Sequence, residues 1–346
     1  MTPRARKSAG KTGSFHEAKL GEVPIRELGL AIAGTPLAPL LAEFERELTA
    51  AGVTRVRPRF YLSTEWGVPF ETVAVAIPFY LARPDLAELH ADRAGMVEGE
   101  STHEIMRYLR HEMGHVVNYA YLLYDREDWV ERFGAMTQPY IEEYRPEPWS
   151  TRFVRHLPGW YAQKHPDEDW AETFAVWMTP GLDWRTDYAA WPAALAKLEL
   201  CDRIMAEVRE LDPPVTDDEL DEEVGEIDYS IEQFYRDSLP VAPDVPPGLD
   251  GALRAIFAEA PAGGRRKQRP ASVLIAASSR TLARSVFTWT GHFPEHTLAL
   301  LRHIASRADE LRLTCPASQQ SKALIELSVF VSSLAMTHVH RGTYVP

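Results

Sequence analysis

The sequence predicts an α+β fold, with strands near the start, a helical middle and a last hundred residues that read as helical. Three observations carry this. Residues 53–62 and 72–80 are short runs rich in β-branched and aromatic side chains, as strands are. Ile105, Met106, Leu109, Met113, Val116, Val117 and Ala120 recur at the spacing of one helix face. Residues 272–289, 294–313 and 318–336 carry apolar side chains at the same helical spacing.

Taken in order, residues 1–20 are polar and basic, without apolar periodicity, and read as a disordered arm. A helix is expected from Pro36, with Leu37, Leu40, Leu41, Phe44 and Leu48 on one face and Gly52 just past its end. Pro58 puts the first strand at an edge or bulge. The second, over 73–79, is apolar enough to be buried and is the candidate edge along which an extended peptide would lie. The aromatic, proline-broken stretch 129–160 suits a cleft wall or packing between short helices. A dense acidic run at 217–223 reads as a solvated loop. Residues 241–248 form a Pro-rich linker, dividing a domain over 21–240 from a helical domain of unknown role over 249–346. Gly263 to Lys267 makes a basic loop in that last part.

Composition narrows the function classes. Two cysteines, Cys201 and Cys315, lie far apart without a CxxC, which excludes a disulfide framework and a cysteine-rich zinc ribbon. The net charge of −13 is unevenly spread, with the C-terminal part basic on balance, yet no nucleic-acid partner is expected. The apolar stretch 28–41 is broken by Gly34, Pro36 and Pro39, so no signal or membrane span is expected and the cytoplasm is the expected compartment.

The one stretch that implies a reaction is His111-Glu112-Met113-Gly114-His115. Two histidines four apart project from one helix face about a turn apart, so both rings can bind one ion, usually zinc. Glu112 points toward the same ion and can take a proton from a water there. Ser101 and Glu104 form an S-x-x-E capping box that starts this helix, which puts the motif mid-helix beside an apolar stripe. His103, two turns earlier, reads as a surface residue.

A catalytic zinc needs a third protein ligand and an open position. The metzincin arrangement would require glycine at 118 and histidine at 121; Asn118 and Tyr121 exclude it. Residues 161–178 offer a second helix, with Pro166 at its start, Asp167, Glu168 and Asp169 in its first turn, and Trp170, Phe174, Trp177 and Met178 on an apolar face. Glu168 and Glu172 are one turn apart on another face. Either is a candidate ligand, and both fit equally a solvated pair of surface acids. His165, just before this helix, reads as a cap or packing residue.

HEMGH together with Tyr161, Glu168 and Glu172 resembles the glutamate-ligand zincins, in the version of anthrax lethal factor and the Pro-Pro endopeptidases. Over roughly 28–208 the chain is similar to a bacterial family of zinc-binding metallopeptidases, through GTPLAP, YLSTEWGVP, AIPFYLARP, LRHEMGHVVNYAY, FVRHLPGWYAQKHPDEDWAETFAVW and WPAALAKLE. The resemblance implies a zincin-like metallopeptidase domain followed by the small helical C-terminal domain. It makes His111, His115 and Glu168 the zinc ligands, Glu112 the general base and Tyr161 the phenol that steadies the oxyanion. Glu172 then accepts a hydrogen bond from a ligand histidine, with direct ligation by Glu172 as the alternative. The expected activity is zinc-dependent hydrolysis of a peptide or protein substrate. The alternatives are a non-hydrolytic zinc- or peptide-binding protein using the same pocket, and a zinc hydrolase of a non-peptide amide. Cleavage preference and oligomeric state are not legible in the residues.

Overall fold

The computed structural model describes residues 21–141, 144–238, 248–260 and 269–345. The basic arm at 1–20, the basic loop at 263–267 and the Pro-rich linker up to residue 247 fall outside the described residues.

Helix α1, Leu37–Ala51, buries Leu37, Leu41, Phe44 and Leu48 and stops at Gly52, whose left-handed φ of 82° closes the end. Strand β1, Arg59–Ser63, pairs in parallel with β2, Ala74–Pro78, with Tyr61 opposite Ala76. Both strands are shorter than their sequence runs, because pairing and not composition sets where a ladder ends. Every residue of β2 is buried. Its other edge is met by Gly67, which accepts a hydrogen bond from Ala76 N at 2.8 Å. Trp66–Gly67–Val68 therefore stands where the sequence suggested the strand at 73–79 would itself face a substrate.

Helices α2 (Pro84–Ala94), α3 (Thr102–Ala120), α4 (Glu127–Phe133), α5 (Pro166–Met178), α6 (Trp184–Asp187), α7 (Pro192–Val208) and α8 (Ile231–Ser238) follow. α3 and α5 pack closely across one another, and with α1, β2 and α7 they enclose an apolar cluster. Phe44, Leu109, Met113, Trp129, Trp170 and Phe174 lie at its centre, each with no more than 1% of its surface exposed. Removing one such side chain from water is worth about 1.5–3 kcal/mol, so this cluster fixes the relative placement of α3 and α5.

The acidic run is not a free loop. Val73 N donates to Asp217 O, Thr64 Oγ1 to Glu222 Oε2 and Val224 N to Leu62 O, so the run is laced along β1 and β2 while its other side chains face solvent. No local pattern announces such a partner.

The last part contains α9 (Asp250–Ile256), β3 (Ala258–Glu259), β4 (Arg269–Pro270), α10 (Ala271–Thr290), α11 (Pro294–Glu310), β5 (Leu313–Cys315) and α12 (Gln320–Arg341). Helices α10, α11 and α12 match the periodic stretches, whereas α9 had no such stretch to announce it. The small sheet, ordered β3-β5-β4, was not expected, since its strands are only two or three residues long. A second apolar cluster forms here around Leu253, Ile275, Leu300, Leu301, Leu327 and Val331. One segment, Ala317–Arg341, is long and apolar enough by length and composition to cross a membrane, a feature that the sequence reading did not single out. Ala323, Leu327, Val331, Leu334 and Ala335 on it are buried against the second cluster, whereas Ile325 and Val329 are exposed. Among the described residues the fold is thus a helix-dominated α+β arrangement with two small sheets.

Candidate metal centre

Helix α3 begins with the expected capping box: Ser101 Oγ accepts from Glu104 N at 3.2 Å, and Glu104 Oε2 accepts from Ser101 N at 3.3 Å. Two donors that the helix start would leave unpaired are thereby satisfied. Thirteen residues of α5 run across it, capped by His165, whose Nδ1 accepts from Asp167 N at 3.2 Å. The two helices touch at Gly114, which sits against the backbone of Ala171. Trp170 Nε1 donates to Gly114 O at 2.8 Å at the same crossing.

That crossing brings His111, His115 and Glu168 together, all three buried. Glu168 Oε2 lies 3.1 Å from His111 Nε2 and 3.3 Å from His115 Nε2, and the two Nε2 atoms are 3.2 Å apart. Ligands about 2.1 Å from a tetrahedral ion are about 3.4 Å from one another, so three near-equal edges of this length fit one face of a zinc tetrahedron. The donor set, two imidazoles and one carboxylate, suits the same ion. Glu168 Oε2 is moreover buried without a hydrogen-bond partner, as an acceptor meant for a cation would be. Among the described residues this is the one group of three such side chains whose donor atoms converge.

The surrounding groups orient the three. His111 Nδ1 is 3.1 Å from Glu172 Oε1. Glu172 has no exposed surface and also accepts from His156 N at 3.0 Å and Leu157 N at 2.9 Å. Asp167 Oδ2 is 3.0 Å from His115 Nδ1, near enough for an ion pair although the ring N–H is not aligned on it. Asp167 is itself held by Asn118 Nδ2 at 2.7 Å and the Tyr119 hydroxyl at 2.5 Å. Tyr140 donates to the other oxygen of Glu168 at 2.5 Å. Burial opposes charge on the histidines, but their carboxylate neighbours outweigh it, pushing His111 up to about 9 and His115 well above its ordinary value. Burial likewise works against ionised Glu168 and Glu172, yet both are held below the usual carboxylate range, by the two histidines at Glu168 and mainly by the His111 hydrogen bond at Glu172. Burial raises Glu112.

A cavity of about 310 Å³ opens onto this group, lined by Trp66, Gly67, Glu112, Tyr119, Tyr140 and Tyr161 among others. The Tyr161 ring lies 5.5 Å from that of His111. Every residue singled out from the sequence, His111, Glu112, His115, Tyr161, Glu168 and Glu172, is thus in or directly behind one cavity. Neither glutamate is a solvated surface acid: 5% of Glu168 is exposed and none of Glu172. His103 is on the surface, and His156 Nε2 meets Arg107 O at 3.0 Å, behind α3.

Sequence reasoning missed Asp167 and Tyr140. Tyr119, four residues after His115 and so on the same helix face, was the available hint that a polar group lies beside that ring. Nothing local points to Tyr140, which comes from the irregular stretch after α4.

Comparison with known proteins agrees with this geometry. A family model described as "Putative zinc-binding metallo-peptidase" matches residues 75–200, from β2 into α7. Uncharacterized proteins of Mycobacterium bovis and of two strains of Mycobacterium tuberculosis are each 32% identical over 121 residues, 31% of this chain and 33% of theirs. The chain therefore spans about a third of the length of these curated relatives. No solved structure matches.

Proposed function

We propose that the chain is a zinc-dependent metallopeptidase of the glutamate-ligand, zincin-like type, in which His111, His115 and Glu168 hold the ion. The observation that carries the reading is the convergence of those three donor atoms beside Glu112 in an open cavity. The family match over 75–200 supports it. Glu172 is less suited to direct ligation, because the His111 ring and two backbone N–H groups already occupy its oxygens. Residues 249–346 are taken as a second, helical unit.

A zinc ion held there would lower the pKa of a water toward neutrality and polarise a scissile carbonyl. Glu112, next to a ligand histidine and lining the cavity, takes the proton from the attacking water and returns it to the departing amine. Tyr161 supplies a phenol O–H to the developing oxyanion. Glu172 and Asp167 fix the ring orientation of His111 and His115 from behind, as carboxylates behind metal-bound imidazoles do.

The direct test is Glu112→Gln, assayed with a peptide library against the parent protein. It should retain about one zinc per chain while kcat falls on the order of 10²- to 10⁴-fold. Undiminished cleavage by the variant, or no cleavage of any library member by the zinc-loaded parent, would remove the peptidase reading. A milder effect is expected from Glu172→Gln, which keeps the shape but weakens the acceptor for His111. Zinc affinity, measured by competition with a chelating dye, should drop about 10- to 100-fold. An unchanged affinity would mean that Glu172 has no part in holding the ring.

A further inference from the structure

A second cavity, of about 420 Å³, is lined by residues next in sequence to those that line the first. Successive residues of one segment line the two: Thr64 and Glu65 face this cavity, Trp66 to Val68 face the first. Trp66 lines the first cavity and is tied to Glu98 of the second. It stacks on Tyr108 at 5.2 Å and donates to Glu98 O at 3.2 Å.

Among the described residues, the charged side chains that line this cavity are Glu65, Glu98, Glu222 and Glu295, with no lysine or arginine. His90 adds no positive charge, since burial lowers it to about 4 and its ring lies flat on Tyr80 at 3.7 Å. Glu98 feels the crowding: burial first, then Glu65, Glu295 and Glu112, push its carboxyl up to about 7. The carboxylates do not converge as ligands of a single metal ion, unlike the three at the metal centre. They are spread around an interior whose remaining walls include the rings of Tyr80, Tyr229, Phe234 and Tyr235. Spread acceptors around aromatic walls suit an organic cation with an apolar stem, with guanidinium or ammonium against the carboxylates and methylenes against the rings.

We infer that this cavity is a specificity subsite that receives an arginine or lysine side chain of the peptide whose scissile bond lies at the metal cluster. The inference rests on the peptidase reading above. A chain extended along 64–68 would pass both cavities, with a basic residue in one and its neighbouring peptide bond in the other. The subsite also gives the distal helices a role, because Pro294 and Glu295, at the start of α11, close its far wall.

The test has two arms, both on the full chain. In the first, acetyl-arginine amide and its neutral isostere acetyl-citrulline amide are titrated and followed by NMR, which needs no catalysis. The arginine probe should bind at least about tenfold more tightly, the size expected for a charge-assisted hydrogen bond. Glu98→Gln and Glu295→Gln should each cut that advantage while retaining about one zinc per chain. In the second arm, matched peptides carrying arginine or citrulline are compared by kcat/KM, and the ratio should exceed about ten in the parent and fall toward one in both variants. Equal binding of the two probes, or a cleavage ratio indifferent to both substitutions, would overturn the subsite. Selective binding of the arginine probe that Glu98→Gln abolishes, with no peptide cleaved, would support the cation site and reject the peptidase reading on which its role depends.

Discussion

His115→Ala and Glu168→Ala should each reduce bound zinc from about one ion per chain to a small fraction of that, with all peptide cleavage lost. Each change removes one of three donor atoms that stand 3.1–3.3 Å apart, and two remaining protein ligands seldom retain zinc against competing chelators. The fold should survive both. α3 and α5 are held by Met113, Val116, Trp170 and Phe174, and none of these side chains is altered. Elemental analysis of the purified variants, with far-ultraviolet circular dichroism to check folding, reads the outcome. Full zinc in folded Glu168→Ala combined with loss in Glu172→Ala would exchange the two glutamates and leave the rest of the site standing. Full zinc in both His115→Ala and Glu168→Ala would dissolve the site.

The second large effect is expected at a residue without a side chain. A Cβ at position 114 would lie 2.6 Å from Ala171 Cα and 3.0 Å from Ala171 O. These are backbone atoms in the middle of a helix, so neither side can move aside locally. Helix propensity alone favours alanine over glycine by about 1 kcal/mol, which sets the two influences in opposition. The contact should win, because forcing a methyl into a filled helix crossing costs about 1–3 kcal/mol and sometimes more, and here the separation of both helices is at stake. Gly114→Ala should therefore lower the denaturation midpoint and also weaken zinc binding, since His111 and His115 lie on one helix and Glu168 on the other. An unchanged or raised midpoint would show that propensity dominates and that the crossing tolerates the methyl.

What could be read from the sequence was whatever depends on neighbours three or four residues away. The capping box at Ser101, the helix it starts, the HEMGH pair and the acids of the following helix all obey helical spacing, and the structure has each of them. The candidate residues share one cavity because an apolar stripe on each helix forces the two to cross near Gly114. What depends on the path of the chain between elements was not legible. Asp167 looked like an ordinary first-turn acid, and only the crossing turns it toward His115. Tyr140 reaches Glu168 from a stretch without periodicity. The acidic run at 217–223 is largely exposed, as its charges suggest, but backbone groups together with the Asp218 and Glu222 side chains tie it to the segments of β1 and β2. The strands of the distal sheet are too short for composition to reveal.

The joint between the distal helices and the rest has a practical meaning. Arg284 pairs with Glu100 and with Glu104, the same glutamate that caps α3, and Arg280 pairs with Asp92. Phe287 packs against Gly159, Leu298 against Gly95 and Pro146 against Gly291. A fragment ending near residue 238 would expose an apolar scar at Gly95, Pro146 and Gly159, leave the cap of α3 without its ion pair and open the acidic cavity to water at one side. Such a fragment would be a poor surrogate in a substrate survey: it would under-report selectivity, and its low yield would be mistaken for a defect of residues 21–238 themselves.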